Sequence, residues 1–179
     1  MPITADICRY LEVDLTPEIA RGIDAIFYES SNTKSFETER SRLAFRDRWL
    51  GRYLRNDPEF AYLAMRPDGA VAGYLVGAVD DPAAHSRFAD IGFYADFSLR
   101  TKQFPAHLHM NVAAQFRDNG IGRRLVERFA TDAKAHGAAG VHVVTSAGAQ
   151  NVRFYNQNGF EEAARTGPAG ELVFLARVL

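Results

Sequence analysis

The chain has 179 residues, a length that suits one α/β domain with a core of its own. Its formal net charge of -1 gives no basic field for nucleic acid, and its ordinary charged and aromatic fractions (24% and 12%) argue against disorder. The single cysteine, Cys8, excludes an internal disulfide. No apolar run approaches the ~20 residues of a membrane span, and no secretory signal is visible. We therefore expect a cytoplasmic protein.

The N-terminal third predicts one strand and two helices. Alternating residues over Ile7–Val13 favour a short strand, and Thr16 followed by Pro17 is typical of a helix start. A second helix is predicted from about Thr38 to Tyr53. Its expected inward-facing residues are Leu43, Trp49, Leu50 and Tyr53.

Two strands, Phe60–Met65 and Val71–Val79, flank a Pro-Asp-Gly turn and predict a hairpin. The following stretch, Asp80–Phe104, has no clear periodicity and is rich in aromatic residues. Irregular stretches of this length are usually functional or partly structured, so we expect it to shape a pocket. After Phe160, a strand and a final hairpin arm over Leu172–Val178 complete the predicted elements.

The most informative stretch runs from His107 to Phe160 and predicts strand, glycine turn, helix, strand and short helix. Apolar residues alternate up to Val112, and a helical stripe follows the turn at Ile121, Leu125, Phe129 and Ala133, with Val126 and Ala130 beside it. The helix is predicted to end near Gly137, the next strand to centre on Val143, and the last helix to run from Ala149 to Asn158.

The turn before the long helix has features of a phosphate site, and the alternative is that its glycines serve only the geometry of the turn. Gly120 and Gly122 let the backbone approach a bulky ligand, and the first helical N–H groups have no partner within the helix. Arg117 and Arg123 add positive charge beside them. No Lys-Ser or Lys-Thr pair follows the turn and no G-x-G-x-x-G is present, which argues against a P-loop and a dinucleotide fold.

Arg117-x-x-Gly120-x-Gly122 after this strand resembles the acetyl-CoA pyrophosphate loop of the GNAT N-acetyltransferase superfamily. Asn151, Phe154-Tyr155 and Gly159-Phe160 are similar to the second part of that signature. The resemblance implies an α/β (α+β) fold with a mixed, mostly antiparallel sheet, flanking helices and a splayed strand pair, over a single domain at residues 1–179. Phe104–His109 also resembles the acetyltransferase-like C-terminal domain of some O-GlcNAcases.

The resemblance also implies which residues bind acetyl-CoA. The backbone of Asn111 and Val112 would hold the pantetheine arm, with Asn151 and Phe154 beside it. Amides from Asn119 to Arg123 would bind the pyrophosphate. With the flanking arginine and aspartate, the expected cofactor-binding residues of this loop are Arg117, Asp118, Asn119, Gly120, Ile121, Gly122 and Arg123.

The main candidates for proton transfer are Tyr155, His107 and His109, and Asp90, Tyr94 and Asp96 of the irregular stretch are further candidates for the base. Tyr155 can donate a proton to the leaving thiolate, and His107 or His109 can deprotonate the attacking ammonium group. A packed tyrosine and structural strand histidines are the alternative interpretations. One His-x-His pair without further ligands does not predict a metal site.

We therefore expect an acetyl-CoA-dependent N-acetyltransferase that acts on a primary amine by direct attack, without a covalent enzyme intermediate. The acceptor, a small molecule or a protein, stays open, and we expect no nucleic-acid or membrane partner. Two alternatives remain: an inactive acetyl-CoA-binding or interaction module of the same fold, and an acyltransferase for another acyl-CoA. The C-terminal strands could also pair between two copies, so a homodimer is open.

Overall fold

The structure, a computed structural model, describes residues 5–179, which fall into two compact units. The first unit consists of the described part of Met1–Gly77 together with His109–Phe129. The second consists of Ala78–Leu108 and Ala130–Leu179. Because the chain passes back and forth between them, two strands and one helix contribute residues to both.

The first unit begins with three antiparallel strands and carries helices between the first two. Thr16 caps the first helix as the sequence predicts, since its hydroxyl oxygen accepts a hydrogen bond from the Ile19 amide at 3.3 Å. The elements are β1 (Asp6–Arg9), α1 (Pro17–Ser30), α2 (Glu39–Arg46), a π-helical segment (Asp47–Gly51), α3 (Arg52–Asn56), β2 (Ala61–Met65) and β3 (Val71–Ala78).

The remaining elements run from the second unit into the first and back. They are α4 (Phe93–Asp96), α5 (Ser98–Gln103), β4 (Ala106–Val112), α6 (Ile121–Ala135), β5 (Gly140–Ser146), α7 (Gln150–Gln157), β6 (Glu161–Thr166) and β7 (Leu172–Val178). The strand order in the sheet is β1-β2-β3-β4-β5-β7-β6. This mixed, mostly antiparallel sheet with flanking helices confirms the predicted fold class.

Parallel pairing joins β4 to β5, whereas β5–β7, β6–β7, β1–β2 and β2–β3 are antiparallel. The parallel register covers Ala106 with Val141 and His107 with His142. A parallel register this short fits the splayed strand pair that the resemblance implies. The stripe of α6 is also as predicted, because Ile121, Leu125 and Phe129 are all buried.

The first strand is shorter than predicted. It ends at Arg9, and Tyr10–Glu12 form a 3-10 turn instead of continuing to Val13. The reason lies in its partner: Arg9 pairs with Tyr62, and β2 begins at Ala61 immediately after another 3-10 turn. No ladder is therefore available to the residues that follow Arg9.

The second predicted helix is interrupted. It starts after Thr38 as expected, but the π-helical segment Asp47–Gly51 separates α2 from α3. Each i→i+5 bond shifts the following side chains by one position, so one helical stripe cannot continue through it. Leu50 and Tyr53 are buried, as predicted, whereas Leu43 is 50% exposed and its predicted inward position is wrong.

The stretch predicted as irregular contains the short helices α4 and α5 and a 3-10 turn at Ser86–Phe88. Three of its aromatic residues, Phe88, Tyr94 and Phe97, are buried in the core of the second unit. Phe97 packs on Phe174 of β7 with ring centroids 5.2 Å apart. The aromatic content of the stretch is therefore explained by packing.

Candidate functional site

Two residues of the loop between β4 and α6 lie in the left-handed backbone region. Asp118 has φ 61° and Gly120 has φ 73°. A Cβ added to Gly120 would meet nothing within 4 Å, so backbone conformation, not lack of space, favours glycine there. Asp118 is the one positive-φ residue other than glycine in the described chain, and such residues often mark ligand-binding loops.

The first amides of α6 are placed as an anion site requires. The helix ladder starts with the Arg124 amide, which donates to the Gly120 carbonyl at 3.1 Å. The amides of Ile121, Gly122 and Arg123 therefore precede the first bond within the helix. With the helix dipole, three such N–H groups favour a phosphate oxygen at this end.

The predicted arginines have different surroundings. Arg117 turns back toward the strand: its Nε donates to the Val112 carbonyl at 3.0 Å, and its Nη2 lies 3.5 Å from the Ser30 hydroxyl. Asn119 supports the same loop by donating to the Arg117 carbonyl at 2.8 Å. Arg123 is exposed. Arg117 and Asn119 thus stabilise the loop, while Arg123 offers its charge to the solvent around it.

The end of β4 is held by the neighbouring strand. The Asn111 amide group donates to the Tyr74 hydroxyl at 2.7 Å, and burial raises the pKa of that tyrosine above its usual range. The strands approach closely here, because a Cβ on Gly73 would lie 3.0 Å from the Asn111 carbonyl oxygen. The backbone of Asn111 and Val112 is therefore fixed by Tyr74, Gly73 and Arg117.

His109 lies on β4 within the first unit and is half-buried. Its Nε2 is 3.1 Å from the Tyr53 hydroxyl, and the rings of Trp49 and Tyr53 contact it edge-on at centroid distances of 5.2 and 5.1 Å. Trp49 lies in the π-helical segment, and Tyr53 lies near the start of α3. His109 thus keeps partial access to solvent while two aromatic residues orient its ring.

His107 lies in the second unit and is 1% exposed. Its Nδ1 is 3.2 Å from the Pro105 carbonyl oxygen, and its ring stacks on His142 with centroids 5.5 Å apart. Phe88 contacts it edge-on at 4.9 Å. Of the two histidines proposed as bases, the surroundings of His109 suit proton exchange better.

The second unit carries the remaining predicted residues on α7. Asn151 is exposed, and its Oδ1 accepts a hydrogen bond from the Thr145 hydroxyl at 2.9 Å. Tyr155 is 5% exposed and contacts the rings of Phe154 and Phe160 edge-on, each at 5.2 Å. Burial raises the pKa of Tyr155, so its hydroxyl stays protonated at neutral pH.

The structure therefore groups the predicted residues by unit. His109, Asn111, Val112 and the loop from Arg117 to Arg123 are in the first unit, and Asn151, Phe154 and Tyr155 are in the second together with His107. Sequence reasoning missed the partners Tyr53, Tyr74 and Thr145. The residues next to a tyrosine in the sequence do not indicate which distant group its hydroxyl will bond. Nothing in the sequence could therefore have identified Tyr53 and Tyr74 as partners.

The sequence pattern of the Acetyltransferase (GNAT) family matches residues 23–160, which is more than half of the chain. The chain belongs to this family. No curated protein matches the chain in sequence at a significant level.

Solved structures show the same fold for this GNAT chain. SsHAT has a TM-score of 0.74 at 20% identity, with 98% of each chain covered. The ribosomal-protein-alanine N-acetyltransferase from Brucella melitensis has a TM-score of 0.65 at 22% identity, covering 97% of this chain and 99% of that one. The NatC complex bound to Gag peptide and CoA gives a TM-score of 0.65 at 15% identity, with 99% of each chain covered.

Within residues 5–179 of the GNAT chain, no helix is both long and apolar enough to cross a membrane. No group of three or more His, Cys, Asp or Glu side chains in that range is placed to hold a metal ion.

Proposed function

We propose that this GNAT chain is an acyl-CoA-dependent N-acyltransferase that transfers acetyl from acetyl-CoA to a primary amine by direct attack. We further propose that residues 1–179 act as one domain, since the family pattern includes residues of both units. The observation that carries the proposal is the loop before α6, where Gly120 has φ 73° and three helical amides precede the first bond of the helix. The CoA bound to the NatC complex supports the same cofactor.

Acetyl-CoA supplies the thioester whose carbonyl carbon the amine attacks. The amides of Ile121, Gly122 and Arg123 are proposed to bind its pyrophosphate, with Arg123 adding charge. The backbone of Asn111 and Val112 is proposed to position the pantetheine arm. Tyr74 and Arg117 support this role, because they fix that backbone through bonds of 2.7 and 3.0 Å.

Two side chains are proposed to move protons. His109 takes a proton from the ammonium group, so that the nitrogen lone pair can form the new C–N bond. As the C–S bond breaks, Tyr155 donates its hydroxyl proton to the departing thiolate, and the second proton, which the nitrogen loses as the amide forms, restores the tyrosine hydroxyl. Burial raises the pKa of Tyr155, which keeps the hydroxyl protonated at neutral pH but also makes it a weaker acid, so the role rests on its place in the family's signature and not on this shift. Its hydroxyl also makes no hydrogen bond to any residue that the structure describes.

Calorimetric titration of acetyl-CoA tests the cofactor site with two matched variants. Gly120→Glu and Gly69→Glu both place a carboxylate side chain at a positive φ, 73° and 82°, where a Cβ meets nothing within 4 Å. Their backbone strain and charge are therefore alike, and they differ only in the loop they occupy. We expect wild type and Gly69→Glu to bind equally and Gly120→Glu to lose at least about tenfold in affinity.

Absence of wild-type binding, or equal loss in the two variants, would overturn the cofactor assignment. Turnover is then measured as thiol release from acetyl-, propionyl- and succinyl-CoA. The acceptors are small amines, amino sugars, lysine peptides and peptides with free N-termini. If acetyl-CoA binds but no combination of acyl-CoA and acceptor releases thiol, the chain is the non-catalytic module and not an enzyme. A preference for propionyl- or succinyl-CoA would identify a different acyl donor.

A further inference from the structure

Three consecutive residues of β3 hold the end of β4 in the first unit. β3 and β4 are neighbours in the sheet, and all eight residues of β3 are buried. The Ala72 carbonyl accepts a hydrogen bond from the Ala113 amide at 2.9 Å, and the Tyr74 hydroxyl and the Asn111 side chain are hydrogen-bonded at 2.7 Å. Gly73 lies between these two contacts. The backbone at the end of β4 therefore follows the course of this segment.

β3 carries a bulge at the same point. Its register with β2 shifts between Ala64 and Met65, and Ala72 is the extra residue. A bulge bends its strand and redirects the groups beside it. Here the carbonyl of the extra residue is the one that accepts the Ala113 amide. The bulge therefore supplies one of the bonds that fix the end of β4.

At Gly73 the two strands leave no room for a side chain. A Cβ there would lie 3.0 Å from the Asn111 carbonyl oxygen, 3.2 Å from Cγ2 of Val112 and 3.3 Å from Cα of Val112. Carbon atoms in contact prefer about 3.5–4.0 Å, so a methyl group would push its neighbours back by a few tenths of an ångström. Gly73 is not among the residues with positive φ, so its backbone conformation does not require glycine. The close approach of the strands requires it.

The atoms that would have to move belong mainly to the backbone of β4. The Val112 side chain can turn away from an added methyl group, but the Asn111 carbonyl and Cα of Val112 move only with the strand. The Val112 carbonyl also accepts a hydrogen bond from Nε of Arg117 at 3.0 Å, so this backbone is held on its other side as well. Binding groups act well only within about 0.5 Å of their productive positions, so a shift of this kind is large enough to matter.

We propose that Gly73 is a positioning residue of the cofactor site: because it has no side chain, the backbone of Asn111 and Val112 lies where it holds the pantetheine arm and the thioester carbonyl. This inference rests on the proposed function, in which that backbone binds the cofactor. Gly73 acts through β4 and does not itself touch the ligand. Its role differs from that of Gly120, which serves the backbone conformation of the pyrophosphate loop.

Calorimetry with two ligands tests the position of this backbone. Acetyl-CoA has the pantetheine arm, whereas 3′-phospho-ADP, the nucleotide half of CoA, has the pyrophosphate alone. Gly22→Ala is the matched control, because it also adds one methyl group in the first unit but meets Val71 at an ordinary 3.6 Å. We expect Gly73→Ala to lose about tenfold in affinity for acetyl-CoA and to bind 3′-phospho-ADP as wild type does. Gly22→Ala should bind both ligands as wild type does.

The outcomes separate this inference from the proposed function. Equal acetyl-CoA affinity in Gly73→Ala and wild type overturns the positioning role. An equal loss for both ligands also overturns it, because the methyl group would then disturb the whole site and not the pantetheine side. Absence of acetyl-CoA binding in the wild type rejects the proposed function and this inference with it.

The same change in a Val112→Ala background separates the backbone from the side chain. This background removes Cγ2 of Val112 and leaves the two backbone atoms beside the added methyl group. We expect Gly73→Ala to cause the same tenfold loss relative to Val112→Ala alone. If the loss disappears, the Val112 side chain and not the backbone carries the effect, and the proposal is overturned. Because the background relieves part of the crowding, it also provides the test if Gly73→Ala alone does not fold.

Discussion

The buried imidazole of His142 should make the second unit sensitive to acid. It is 1% exposed, stacked between Phe174 at 4.4 Å and His107 at 5.5 Å, with Nδ1 bonded to the Phe104 carbonyl. Burial lowers its pKa from the ordinary 6.5 to about 4, although the Phe104 carbonyl and the charge of Asp81 oppose the shift. Between these two pKa values, His142 is therefore neutral in the folded chain and protonated in the unfolded chain.

The sign and size follow from linkage. The folded pKa is depressed, so the unfolded state binds the extra proton between about pH 6.5 and pH 4, and stability falls as the pH falls through that window. At about 1.4 kcal/mol per pKa unit, the full effect is about 3 kcal/mol, and roughly 2 to 3 kcal/mol of it is reached by about pH 4.5.

Urea unfolding of wild type and His142→Phe at pH 7.5 and 4.5 measures this effect. Phenylalanine keeps a ring against Phe174 but cannot be protonated, so its loss of the Phe104 hydrogen bond is the same at both pH values. The difference in unfolding free energy between the two proteins should change by roughly 2 to 3 kcal/mol in favour of the variant at low pH. Phe97→Leu, which weakens the same cluster without removing a titratable group, should show the wild-type pH dependence. A difference that is constant between the two pH values would refute the reasoning.

Three further outcomes are expected. Gly140→Ala should lower the unfolding free energy by about 1–3 kcal/mol in thermal or urea unfolding, because its Cβ would overlap the Phe104 ring and lie 3.1 Å from the Arg177 carbonyl. Leu50→Ala should lower the unfolding free energy by about 2–5 kcal/mol in the same assay, because Leu50 is fully buried. Leu43→Ala should lower it by less than about 1 kcal/mol, because Leu43 is half-exposed. Equal losses in the two variants would contradict the fold of the second helical region. Arg123→Ala should weaken acetyl-CoA binding several-fold in calorimetry, and by a smaller factor at high salt. Arg128→Ala should leave the affinity unchanged, because the guanidinium of Arg128 lies over the Tyr62 ring, 5.8 Å from its centroid. Equal affinities in the two variants would show that Arg123 is not part of the site.

Much of the fold could be predicted because its signals are local. The stripe of α6, the hairpin of β2 and β3 and the cap at Thr16 each depend on residues a few positions apart. The errors arose where a distant partner decides the outcome. Whether β1 continues past Arg9 depends on where β2 begins. The position of Leu43 depends on a π-helical segment that the hydrophobic pattern of the sequence does not predict.

The same distinction separates the cofactor side of the candidate site from the acceptor side. The loop proposed to bind the pyrophosphate is one continuous segment after β4, so its glycines and spacing are visible in the sequence. The setting of His109 depends on Tyr53, which lies 56 positions earlier in the chain and reaches the ring from another element. A strand histidine has no local feature that distinguishes a base from a packed residue. Since His107 and His109 share the strand pattern but differ in burial and bonding, tertiary contacts alone favour His109, and the groups around it are the ones to vary in a search for the acceptor.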